Sequence, residues 1–67
     1  KSVSGKELCK AVERKGWKLR RISGSHHIYA REGIRAILSI PVHGNQTLVS
    51  GLQANLMKAA GLTEKDL

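Results

Sequence analysis

The chain has no phenylalanine, and only one tryptophan, one tyrosine, one cysteine, one proline and one methionine in 67 residues. With Cys9 alone, an intrachain disulfide and a cysteine-based zinc site are both excluded. Small secreted domains depend on such staples, so their absence points to a reducing, cytoplasmic setting. No apolar run approaches the roughly 20 residues of a membrane-spanning helix, and no membrane association is expected. No signal-peptide pattern is visible from Lys1 onward.

Acidic residues are also scarce. Twelve Lys and Arg face five Asp and Glu, giving a net charge of +7 with His neutral. Between Lys10 and Arg35 there are eight basic residues and two acidic ones, Glu13 and Glu32. A basic stripe of this density attracts polyanions, RNA or DNA phosphate foremost, with an acidic protein as the main competitor. A domain this short buries only about 60% of its unfolded surface. Residues 1–67 are therefore expected to form one domain with a small core. The apolar supply is Leu8, Val12, Trp17, Leu19, Ile22, Ile28, Ile37, Leu38, Ile40, Leu48, Leu52, Leu56 and Met57. A deep pocket for a large cofactor would consume it, so we expect a surface site and no cofactor.

Ser4-Gly5-Lys6-Glu7 has the spacing of a capping box and starts a helix over residues 5–15. Leu8 and Val12 share its inner face, and Gly16 supplies a left-handed stop. Strands are expected over residues 17–23, 26–31 and 35–40, separated by turns at Gly24-Ser25 and Glu32-Gly33. Pro41 ends the third strand because it lacks an amide donor. Ser50-Gly51-Leu52-Gln53 reads as a second capping box. The helix it opens carries Leu52, Leu56, Met57, Ala59 and Ala60 on its apolar side and closes at Gly61. Thr63 to Asp66 either adds one more turn or frays. The order is α-β-β-β-α, an α+β fold. Short connections make the sheet an antiparallel meander, with two helices on one face and the other face open.

Gly24-Ser25-His26-His27-Ile28-Tyr29 is the run with most chemical content. Strand alternation with Ile28 and Ala30 toward the helices puts His27, Tyr29 and Arg31 on the open face. With Leu19 inward, Lys18 and Arg20 join them. That face would hold cations for phosphate, a ring for stacking and an imidazole for proton transfer. Each residue also has a plainer reading. The histidine pair can be a hydrogen-bonded turn, Trp17 a core cap, Ser25 a turn residue, and Lys10 and Arg14 a solvated helix face. His43, in the loop after Pro41, reads as a solvated residue, with a ribose or phosphate contact as the alternative. Cys9 has no neighbouring base in sequence. A metal site on His26, His27 and His43 is disfavoured, because adjacent strand residues point to opposite faces.

The ordered set Lys6-Glu7-Leu8, Gly16-Trp17, Arg20 or Arg21, Gly24 to His27, Pro41-Val42-His43 and Met57-Lys58-Ala59-Ala60-Gly61-Leu62 resembles the HicA (YcfA-like) toxin family over residues 4–62. It departs where the family often has Pro-Lys-Gly-Thr-Leu and this chain has Leu48-Val49-Ser50-Gly51-Leu52-Gln53. The resemblance implies a fold like the double-stranded-RNA-binding domain, a type II toxin–antitoxin system, mRNA cleavage without a metal, and neutralisation by a HicB-type antitoxin. It also implies that His27 is the catalytic residue, since the second position of the pair stays His where the first is Asn. Lys18, Arg20, Arg21, Ser25, His26, Tyr29 and Arg31 are then the expected RNA contacts. The second acid or base is left open between water, Tyr29 and a Lys. Two other classes compete. A non-catalytic RNA- or DNA-binding module would show salt-sensitive binding and intact substrate. A subunit defined by its protein contact would use the basic face to dock an acidic antitoxin.

Overall fold

The computed structural model describes residues 1–67. Helix α1 (Gly5–Arg14) begins at a reciprocal cap. The Ser4 hydroxyl accepts from the Glu7 amide at 3.1 Å, and the Glu7 carboxylate accepts from the Ser4 amide at 2.9 Å. The backbone bond from Ser4, then its hydroxyl, hold the Glu7 carboxyl below its ordinary value of 4.5. This contribution to stability is present above pH 4.5 and fades as pH falls through the depressed native value. At the other end Gly16 takes the left-handed conformation (φ 95°). The Trp17 amide donates to Val12 and the Gly16 amide to Glu13, so the helix stops one residue earlier than its pattern suggests.

Three strands follow, β1 (Lys18–Ser23), β2 (His26–Arg31) and β3 (Ile34–Pro41), in the antiparallel order β1-β2-β3. Helix α2 (Ser50–Ala60) closes at Gly61 in the left-handed region (φ 75°). A short 3₁₀ turn (Glu64–Asp66) completes the chain. The α-β-β-β-α order, the meander and the two amphipathic helices agree with expectation. The helices lie over β3. Leu8 and Val12 of α1, Leu56 and Met57 of α2, Leu38 and Ile40 of β3, and Tyr29 of β2 form the core with Trp17. Trp17 acts as the core cap expected of it. Its indole donates to the Ala60 carbonyl at 3.2 Å, joining the start of the sheet to the end of α2.

Three expectations are corrected. First, Leu19, Ile22 and Ile37 stay out of the core, at 44%, 55% and 65% exposure. Leu19 and Ile22 lie on the edge strand β1, beyond the reach of the helices, and Ile37 points away from them. Second, the capping box at Ser50 does not form. Val49 occupies the cap position without a side-chain bond. Gln53 turns inward instead, accepting from the Val3 amide at 3.0 Å and donating to the Lys1 carbonyl at 2.5 Å. A buried amide otherwise left unpaired outweighs a solvent-facing cap. Ala59 faces water as well. Third, the phase of β2 is reversed. Tyr29 is 1% exposed and opposite Leu38, so Tyr29 rather than Ile28 and Ala30 faces the helices.

Gly5 sets the start of α1 directly against the end of β3. A Cβ there would overlap the Pro41 carbonyl oxygen, with Val42 directly behind it. Backbone cannot swing aside as a side chain does. Gly5→Ala is therefore expected to lower stability by about 2 kcal/mol, against the gain in helix propensity, by the usual scale of overpacking. Urea denaturation measures it, and an unchanged or raised midpoint would contradict the close approach.

Candidate functional site

The register of the sheet decides where each candidate residue points, because directly opposed residues on neighbouring strands share a face. His27 lies opposite Ile22 on one side and Ile40 on the other. Ile40 is fully buried under the helices. His27 is consequently on the helix-facing side of the sheet, not on the open side. It is only half-buried, since its other neighbour Ile22 sits on the uncovered edge strand.

The ladder runs one step past β2. The Val42 amide donates to the Ser25 carbonyl at 2.8 Å, and Val42 packs against the core. Ser25 therefore presents its side chain beside that of His27. The Ser25 hydroxyl is 3.4 Å from Nε2 of His43. His26 points the opposite way. It is opposite Pro41, and its Nδ1 lies 2.9 Å from the Ser39 hydroxyl. Strand alternation thus splits the histidine pair between the two faces, and Ser39 fixes the ring that faces out.

The expected phenol of the open face is absent from it. Tyr29 donates to the Glu13 carboxylate of α1 at 2.5 Å. Burial pushes the phenol well above its ordinary range, and the bond to Glu13 pushes it further. Tyr29 has no surface on which a base could stack, and its assignment as an RNA contact is withdrawn. Trp17 is buried too, at 2%, so neither aromatic side chain is a stacking platform. Cys9 lies in the same cluster. Burial raises its thiol, the principal influence on it, and makes it an inert core residue.

The cations are dispersed along the sheet. Lys18 is opposite Ala30 and Arg21 opposite Ile28, which puts both on the open face. Arg20 occupies a bulge between Leu19 and Arg21 and has no partner on β2. This extra residue is why Arg21, two places after Leu19, ends on the face opposite to it. Arg31 follows a second irregularity in the sheet and lays its guanidinium across Gly16. A cleft of about 580 Å³ lies at the end of the sheet away from the Gly24-Ser25 turn. Lys18, Arg20, Arg31 and Arg35 line it, over Ala30, Ile34 and Ile37. The ladder therefore puts Ser25 and His27 on one face, His43 touches Ser25, and most of the arginines lie elsewhere on the sheet.

None of these cations has an acidic partner. The one ion pair between side chains joins Lys15 Nζ to Asp66 at 3.1 Å. Glu7 is used in the cap and Glu13 by Tyr29. Glu32 lines the cleft without forming an ion pair, so four cations there face one carboxylate and the excess positive field favours a polyanion. No group of three His, Cys, Asp or Glu side chains converges. No helix is long and apolar enough to cross a membrane. His43 is exposed in its loop, as read from the sequence, but its contact with Ser25 spans 18 residues and leaves no local pattern.

No curated protein matches the chain. The family model described as "HicA toxin of bacterial toxin-antitoxin" matches residues 5–62. That span takes in both helices, the three strands and the patch around His27. The protein belongs to the HicA toxin family of bacterial toxin–antitoxin systems.

Proposed function

We propose that this toxin is a metal-independent endoribonuclease that cleaves mRNA, and that His27 transfers the proton in the bond-breaking chemistry. The observation that carries the reading is the place of His27. It is anchored by two strand neighbours and half-buried where the helices stop, beside a sheet whose cations are unpaired. An imidazole can take or give a proton near neutral pH. It can remove the proton of a ribose 2′-hydroxyl, which then attacks the adjacent phosphorus. Arg20, Arg21 or Lys18 would bind flanking phosphates of the same strand. Cleavage of mRNA in the cytoplasm stops translation and growth, which is how the toxin acts in this reading. The partner implied by the family is an antitoxin, and a HicB-type protein with an acidic surface matches the basic sheet.

The chemistry needs the 2′-hydroxyl, so the substrate test is direct. A single-stranded mRNA and a DNA of the same sequence are incubated with the protein in EDTA. The RNA is expected to be cut and the DNA spared. Cutting of the DNA would remove the 2′-hydroxyl mechanism. Intact RNA in a salt-sensitive complex would instead make the protein a non-catalytic binding module.

A further inference from the structure

Within the ribonuclease reading just given, we propose that His43 is the second proton-transfer group of the site, acting on the leaving oxygen while His27 acts on the attacking one. A single imidazole cannot both remove the 2′-proton and protonate the departing oxygen in one step. Of the groups that sequence leaves open for the second role, Tyr29 is eliminated, because its phenol is buried and already donates to Glu13. Lys18 lies at the far end of the sheet, paired with Ala30.

His43 is in the right place for two independent reasons. The ladder bond from Val42 to Ser25 puts Ser25 on the same face as His27, and the His43 ring touches Ser25 at 3.4 Å. Residues two apart in an extended chain are separated by about 7 Å, so Ser25, which the His43 ring touches, lies one such step from His27. The loop that carries His43 is also tied down. Gln46 donates to the His43 carbonyl at 3.0 Å across a turn at Gly44 (φ 57°). Thr47 then pairs with Ser4, and the Leu48 amide donates to Val3 at 2.9 Å. His26, by contrast, is held by Ser39 on the other face. It cannot meet the same phosphate.

The step balances. His27 accepts the 2′-proton as the 2′-oxygen bonds to phosphorus. The bond from phosphorus to the 5′-oxygen breaks, and the imidazolium of His43 gives its proton to that oxygen. The products are a 2′,3′-cyclic phosphate and a 5′-hydroxyl. Water then returns the proton from His27 to solvent and recharges His43. No electron is transferred and no co-reactant is needed. Ser25 holds the His43 ring in the free protein, and a phosphate oxygen takes its place on binding.

The test uses two RNAs of one sequence, one natural and one with sulfur in place of the 5′-oxygen at the linkage the wild-type protein cuts. A thiolate departs without protonation. His43→Ala and His43→Gln are expected to cut the natural RNA about 10²–10⁴-fold more slowly, the usual worth of a positioned acid, and the sulfur-containing RNA at close to the wild-type rate. His27→Ala should be slow on both. Wild-type cleavage of natural RNA by the His43 variants would overturn the proposal, as would equal losses on both substrates. If the wild-type protein cuts neither RNA, the ribonuclease reading itself fails, and this assignment falls with it.

Discussion

His27→Ala is expected to bind single-stranded RNA as the wild-type protein does and to cut it about 10²–10⁴-fold more slowly. The separation follows from the geometry. In the proposed reading phosphate affinity comes from cations on the sheet, and Arg21, the strand neighbour of Ile22, projects from the face opposite to His27. Removing one half-buried ring leaves them in place. It also leaves the fold intact, since the neighbour across β1 is the exposed Ile22 and Ile40 keeps its helix contacts. Single-turnover cleavage and equilibrium binding at several salt concentrations measure both quantities on one sample. His27→Asn keeps a polar, hydrogen-bonding amide without a proton-transfer function near pH 7, and should be as slow as alanine. An alanine variant that cuts at the wild-type rate removes His27 from the chemistry. One that loses binding in step with cutting makes it a contact residue.

Tyr29→Ala is expected to leave the chain largely unfolded at room temperature. Truncating a large buried aromatic costs roughly 3–5 kcal/mol. At roughly 0.05–0.15 kcal/mol per residue, a chain this size holds only about 3–10 kcal/mol in total. Tyr29 spans the layer between β2 and α1, lying opposite Leu38 and donating to Glu13. Tyr29→Phe keeps the ring and loses the hydrogen bond, which typically costs about 1–3 kcal/mol for a partly buried partner. Thermal melts followed by far-ultraviolet circular dichroism separate the two variants. The Phe variant should still cut RNA at the wild-type rate. Loss of cutting in a folded Phe protein would return the phenol to the reaction and contradict its place in the core.

The elements of the fold were legible because their signals are local. Ser4 and Glu7 are three residues apart, and Gly16 follows its helix directly. The turns at Gly24 and Gly33 rest on glycines at φ 61° and 83°. What was not legible was phase. Alternation in His26 to Arg31 gives a period of two but does not say which set faces inward, because Ile28 and Tyr29 are both apolar. The choice was made by Glu13, 16 residues upstream on another element, which offers the phenol a partner. The same limit hid the use of Gln53, whose local spacing fits a cap but whose amide serves Val3, 50 residues away. His27 could be singled out only through the family resemblance, and alternation then placed it on the wrong face. The split of His26 from His27 did follow from the strand alone. The approach of His43 depended on the path of a loop.

Trp17 is the only tryptophan in the chain, and it bridges the first residues of the sheet to the last turn of α2. A single indole fluorophore therefore sits where the two ends of the fold meet, shielded from water at 2% exposure. Its emission follows whether those ends are joined. It lies in the core, out of reach of a nucleobase, so nucleic acid on the surface does not quench it by stacking. Folding can thereby be followed in the unlabelled protein while nucleic acid is added.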